Sequence, residues 1–270
     1  IAEPFHDIAL TTGTADIVLA WSDDGQCRVV CDEEENARHS VTVAADTLVI
    51  QAADAKSWRD HIGLFFDSPK VTVYLPKTAY RTLSIHGSTG NIEIPAEFAF
   101  ERADISLSTG NVNFRASTAE SVRIKTSTGD IRVGNASIGA LDLSVVTGTV
   151  TVSTVTCAGD LTVGVSTGKS YLTDVSCKNA ISSGTTGNLS LTRVIAAEKI
   201  SIKRSTGDVT FDRCDAAELD VTTRTGHVTG SLLTDKVFLA DTDTGSVDVP
   251  QTAAGGRCEI RTDTGDIKIK

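Results

Sequence analysis

The amino-acid sequence predicts an all-β chain. It reads as one β-solenoid (β-helix) of about ten coils, 19–20 residues each, with Thr-Gly corners behind an irregular β-rich N-terminal cap. Three observations carry the prediction. A Thr-Gly pair returns every 19 or 20 residues, with its glycine at Gly90, Gly110, Gly129, Gly148, Gly168, Gly187, Gly207, Gly226, Gly245 and Gly265. The flanks repeat with it, as STGNIEI, STGNVNF, STGDIRV, STGDVTF, DTGSVDV and DTGDIKI. Apolar residues then alternate with period two on both sides of each pair, which is the strand signal given twice per coil.

The cap comes first in the chain. Residues 1–80 hold strand-like runs at Asp16–Trp21, Arg28–Cys31, Ser40–Ala44, Thr47–Gln51 and Val71–Leu75, and both tryptophans, Trp21 and Trp58. Thr12-Gly13-Thr14 reads as a degenerate first corner, and Ala52–Phe66 as a short helix or a loop. Terminal repeats of a solenoid depart from the pattern because they close the core. The cap is therefore read as continuous with the rod, with no linker between them.

Residues 81–270 are the regular coils. Positions seven and five before the glycine are apolar, as in Leu83/Ile85, Leu141/Leu143 and Ile200/Ile202; so are positions two and four after it, as in Ile131/Val133, Val150/Val152 and Val209/Phe211. A strand pair this short buries little alone. Coils stacked in parallel bury a continuous core and set equivalent residues about 4.8 Å apart, so ten coils give a rod about 45–50 Å long. The spacing leaves handedness and the number of faces open.

Glycine at the corner supplies a backbone angle that residues with a Cβ avoid. The corner threonines are read as stacking, hydroxyl to turn backbone and methyl to methyl. A second, tighter interior corner is placed nine residues after the glycine, where small residues recur: Ala99, Ala119, Ile138, Cys157, Cys177, Ala196, Ala216, Asp235 and Ala254. Outward positions beside the Thr-Gly corner are mixed (Asn91/Glu93, Asp130/Arg132, Thr149/Thr151, Lys169/Tyr171, Asp266/Lys268), which argues against a flat threonine array. On this reading Gly187→Val is strongly destabilising and Asn188→Ser nearly silent.

Composition excludes some functions. The formal net charge is −10 and no basic stripe exists, so no nucleic-acid partner is expected. The run Asp32-Glu33-Glu34-Glu35 lacks ordered calcium-ligand spacing and reads as a solvated loop. The chain has no methionine and no apolar stretch near the ~18 residues of a membrane span, so it reads as a processed product. Cys27 and Cys31 would lie about 13 Å apart on an extended strand, too far to bridge, and Cys157 and Cys177 sit one coil apart with parallel side chains. With Cys214 and Cys258 they read as buried small hydrophobes. No metal or cofactor is expected, since no CxxC occurs and His6, His39, His61, His86 and His227 are scattered.

No catalytic constellation emerges, and no catalytic, ligand-binding or metal residue is assigned. Asp60-His61 beside Trp58 is the one tempting cluster, and it reads as a surface ion pair. Asp104, Asp142, Asp220 and Asp241 alternate with Arg123, Lys125, Ser201 and Lys203, which is charge mixing over a solenoid surface. Tyr171 is the one aromatic at the outward positions beside the corners, too few for a sugar platform.

With its S-T-G-[DN]-[IV] corners, its early TGTADIVL, its closing DTGDIKIK and the entry phrase VTVYLPK, the chain resembles the bacterial putative-adhesin family of β-strand-repeat domains of unknown function. The resemblance covers nearly the whole chain. It implies an extracellular repeat domain tethered by an N-terminal transmembrane segment outside this sequence. The expectation is a non-enzymatic cell-surface rod, adhesive or structural, with a protein or glycan partner. The alternative is a carbohydrate-active β-helix enzyme, a polysaccharide lyase or hydrolase, by analogy of fold alone.

Overall fold

A computed structural model describes residues 1–32, 38–52 and 69–270. Its strands form one continuous sheet wound into a β-solenoid, and the pairing between successive coils is parallel. The register is set by the core. Val133, Val152, Leu172, Leu191 and Phe211 stack one above the next, each four residues after its glycine. A one-residue slip would turn this whole column toward water.

Each regular coil has three inward-facing runs. Around Gly148 they are Leu141, Leu143 and Val145 before the Thr-Gly corner, Val150 and Val152 after it, and Val155 and Cys157 on a third side. Between Val152 and Val155 the buried positions change parity, which means that one extra residue has been spent on a bend. That residue is Thr154, held at φ 55°. Its equivalents are Asn135, Asp174, Arg193 and Arg213, at φ 52–54°. The second corner therefore lies six residues after the glycine, and a lone left-handed residue that is not glycine makes it. The predicted interior corner three residues further on is corrected accordingly. Ile138, Cys157, Cys177, Ala196 and Ala216 are buried there, but Ala99, Ala119, Asp235 and Ala254 are exposed. Near the ends, the irregular rungs turn this position outward.

The first corner also differs from expectation in one chemical detail. The threonines of all ten Thr-Gly pairs point to solvent. The hydroxyls that bond turn backbone belong to inward threonines two residues earlier: Thr126 donates to the Gly110 carbonyl at 3.4 Å, Thr262 to Gly226 at 3.2 Å and Thr242 to Gly265 at 2.9 Å. The corner of the first coil is Thr14-Ala15, and not Thr12-Gly13, because Thr14 pairs with Thr89 while Thr12 is buried.

At both ends the chain order of rungs is inverted. Asp7–Thr14 lies between Thr47–Ala52 and Tyr80–Thr89, and Asp16–Trp21 lies between Lys70–Leu75 and Ile92–Ile94. Two antiparallel strands then close this end: His39–Ala44 on Thr47–Ala52, and Arg28–Asp32 on Lys70–Leu75. At the other end Gly256–Thr264 inserts between Glu218–Thr225 and Lys236–Thr244. The last rung in space is thus built from residues 236–248, while the last rung in sequence is held on both sides. The expected helix or loop at Ala52–Phe66, apart from Ala52 itself, lies outside the described residues, as do Trp58, Asp60, His61 and the acidic run Glu33–Glu35.

Candidate functional surface

The surface is built by what the corner forces. At Gly148, φ is 150°, and a Cβ there would stand 1.9 Å from the Gly129 carbonyl oxygen. Only glycine lets adjacent corners approach this closely. The corner amides and carbonyls then bond from coil to coil: Gly129 N–H donates to Thr147 O at 3.0 Å and Gly148 N–H to Thr167 O at 3.0 Å. The result is a ridge of stacked backbone with no side chain of its own.

Beside this ridge runs a ladder of Asn and Asp. The amide oxygen of Asn91 accepts from Asn111 N–H at 3.1 Å, that of Asn111 from Asp130 N–H at 2.9 Å, and the Asp130 carboxylate from Thr149 N–H at 2.9 Å. It starts at Asp16, which takes the Asn91 N–H at 2.7 Å. After an interruption at Thr149 and Lys169 it resumes from Asn188 to Asp208 and His227, each receiving the next coil's N–H. These residues, read from sequence as mixed outward positions, satisfy backbone donors that a corner leaves over. At the far end Asp266 accepts from Ser246 N–H and its hydroxyl, which holds the Asp266 carboxyl below the ordinary carboxylate value.

On the other flank stands a double column of hydroxyls. Thr89, Thr109, Thr128, Thr147, Thr167 and Thr186 pair in register along the rod. Ser88, Ser108, Ser127, Ser166 and Thr185 precede them, all exposed, with Val146 as the one apolar interruption. At about 4.8 Å per coil these six rungs present a hydroxyl strip roughly 24 Å long. The signal for it is the STG repeat itself; the sequence reading places these hydroxyls on turn backbone, whereas they face solvent.

Charged residues form columns of alternating sign. Asp104, Arg123 and Asp142 occupy successive rungs of one column, with Arg123 3.2 Å from Asp142. Asp220 has Lys199 at 3.5 Å, and Arg193 pairs with Asp174, lowering that carboxyl's pKa. Asp241 stands in the neighbouring column beside Arg261. Tyr171 is exposed between Thr151 and Ser190.

The histidines are spread over separate places. His6 meets Asp46 at 2.9 Å within a surface cluster in which Arg81 bridges Asp46 and Asp7, and the His6 hydrogen bond is the main cause of a lowered Asp46 pKa. His86 bonds the Ser106 hydroxyl at 2.6 Å, and His227 belongs to the backbone ladder. His39 opens the antiparallel strand of the N-terminal end. Cys27, Cys157, Cys177, Cys214 and Cys258 are buried and unbridged, and Cys31 is half-buried. Burial pushes the thiols of Cys157 up to about 11 and of Cys177 and Cys258 up to about 12. Among the described residues no group of three or more His, Cys, Asp or Glu side chains is arranged to hold a metal ion.

A family model described as Toastrack DUF4097 matches this chain twice, over residues 5–168 and 149–270. No curated protein matches it. A solved structure described as a putative cell adhesion protein from Clostridium sporogenes aligns with 100% of this chain and 96% of its own, at 10% identity and a TM-score of 0.23. At that score the likeness carries no argument.

Proposed function

The chain belongs to the Toastrack family, and from that premise we propose that it is a non-enzymatic interaction rod of the cell surface, adhesive or structural. It meets a protein or glycan partner along its outward ladders and is held at the membrane by a segment outside this sequence. The observation that supports this is the in-register hydroxyl strip from Thr89 to Thr186. A surface that repeats one chemistry every ~4.8 Å suits an extended partner, and solenoids generally bind through such surfaces. Among the described residues no helix is long and apolar enough to cross a membrane.

The test uses the immobilised chain against a glycan array and against extracts of surface proteins. A triple variant, Thr128→Val, Thr147→Val and Thr167→Val, removes the hydroxyls from exposed positions while keeping the β-branched shape and adding no charge, and should keep a melting temperature close to that of the wild type. Capture of a glycan or protein by the wild type and its loss in the triple variant is the expected result. Absence of any partner, a partner retained by the triple variant, or cleavage of a polysaccharide by the purified chain would overturn the reading.

A further inference from the structure

The two ends of the rod are finished differently. At the N-terminal end the outermost parallel strands are covered by antiparallel partners. At the other end, among the described residues, Lys236–Thr244 pairs only with Gly256–Thr264, and Val247–Asp248 only with Ile267–Ile269. Among the described residues the outer backbone edge of that rung has no strand on it. Unpaired edges template further pairing unless something covers or blunts them.

The side chains say what would pair. Along Lys236–Thr244 the outward-facing residues are Val237, Leu239, Asp241 and Asp243, all exposed, with Leu239 at 53%. Between them Phe238 and Ala240 face the end of the core, half-buried. Apolar contact is therefore offered over the first half of the strand and negative charge over the second. Lys236, the cation of this strand, is buried and its ammonium is 2.6 Å from Asp215, so it does not offset the acids. Arg261, in register with Asp241 on the neighbouring strand, is paired with Glu259 at 2.6 Å, and among the described residues no cation lies within ion-pair distance of Asp241 or Asp243. A second copy docked edge to edge about a two-fold axis would run antiparallel and, with the strands fully overlapped, set Asp241 and Asp243 against the apolar Leu239 and Val237 of the other copy, so neither acid would meet a cation.

We propose that this edge takes up an extended strand from a partner protein, with apolar residues opposite Val237 and Leu239 and lysine or arginine opposite Asp241 and Asp243. Backbone hydrogen bonds hold the strand, its alternate inward residues cover Phe238 and Ala240, and the cations fix register and choice of partner. The hydroxyl strip is not involved, so this proposal stands or falls separately from the one above.

The probe is a fluorescein-labelled peptide, Ser-Val-Ala-Val-Ile-Lys-Thr-Lys, with a control carrying glutamates in place of the lysines. Fluorescence anisotropy should show saturable binding of the lysine peptide, weakening as salt rises, and none of the control. The double variant Asp241→Asn, Asp243→Asn should bind about tenfold more weakly at unchanged melting temperature, since it removes two cross-strand charge pairs. The triple threonine variant should bind as wild type does. The proposal is overturned by equal binding of both peptides, by no binding, or by a dimer in sedimentation velocity whose formation blocks the probe. It is equally overturned if a longer form of the chain, extended past Lys270, excludes the probe by covering this edge itself.

Discussion

Gly187→Val tests the corner that builds the rod. Gly187 has φ 130°, and a Cβ built on it would lie 1.7 Å from the Gly168 carbonyl oxygen and 2.6 Å from its carbon. Contact at ordinary van der Waals distance requires the two corners to separate by more than ~1 Å, and the stack allows only ~4.8 Å between strands. Separation strains the bonds that join these two corners, Gly168 N–H to Thr186 O at 2.9 Å and Ser170 N–H to Asn188 O at 3.0 Å. Two backbone bonds contribute about 1 kcal/mol each, and a β-branched residue forced to positive φ costs about 1–3 kcal/mol. The variant should lose about 4 kcal/mol, or about 8–16 °C of melting temperature for a chain of this size.

Thermal unfolding followed by circular dichroism measures the loss, and hydrogen exchange should localise it to the rungs on either side, since solenoid stability is a nearest-neighbour property. Asn188→Ser is the paired control. The structure removes the expectation that it is silent, because the Asn188 amide oxygen accepts Asp208 N–H at 3.0 Å, a reach serine lacks. It should cost about 1 kcal/mol. Equal shifts for the two variants, or a Gly187→Val loss under ~1 kcal/mol, would show that the corner has been misread.

Four further outcomes are expected. Asn111→Ala should cost about 1 kcal/mol in thermal unfolding by stranding the Asp130 N–H, while Asn111→Asp should restore most of it. Arg204 is buried in the core with its guanidinium bonded to the Ser170 and Ser182 hydroxyls and its Nε and Nη1 unpartnered, and burial lowers its pKa to about 10. Replacing the whole group by apolar residues, Arg204→Met with Ser170→Ala and Ser182→Ala, should therefore be neutral or stabilising in chemical denaturation, while Arg204→Met alone, which strands two buried hydroxyls, should be the less stable of the two variants. Ellman's reagent at pH 8 should leave Cys157, Cys177 and Cys258 unlabelled until the rod unfolds, since their raised pKa values keep them as thiols; rapid labelling mapped to these residues would contradict their burial. The carboxyls of Asp46, Asp174 and Asp266 are held below the ordinary value of 3.8, so the stability they add is present above that pH and is lost as pH falls through their folded values; melting temperature should be level near neutrality and drop below about pH 4, less steeply in Asp174→Asn.

What was legible in the sequence is what recurs in every coil. The Thr-Gly spacing and the period-two runs locate the strands and the first corner because each rung meets the same steric demand. The second corner left a trace too, since Val150, Val152, Val155 and Cys157 change parity where the chain bends. It has no motif because its bend residue need only tolerate a left-handed backbone, so Asn135, Thr154, Asp174, Arg193 and Arg213 share no chemistry. The Asn and Asp after the glycine were in plain view, but their work is a bond to the next coil, which appears only once coils are stacked.

The order of rungs is invisible in spacing for the same reason. Gly245 and Gly265 are as far apart in sequence as any other pair of neighbours, yet the coil of Gly265 sits beneath that of Gly245, stacked directly on Gly226. Parallel pairing is indifferent to which of two similar rungs comes first when the connection is long enough, and residues 249–255 supply that length. The inversion holds the Gly256–Thr264 strand on both sides and, among the described residues, leaves Lys236–Thr244 with a bare edge. That edge is where the repeat stops paying attention to core fit alone: Asp241 and Asp243 stand where earlier coils carry Lys125 and Ser127. A rung that ends a stack needs protection against its own kind, and acidic residues on its exposed face supply it. The same charges select what the edge can accept, so the features that keep the rod from growing by self-addition are the ones that define a partner strand.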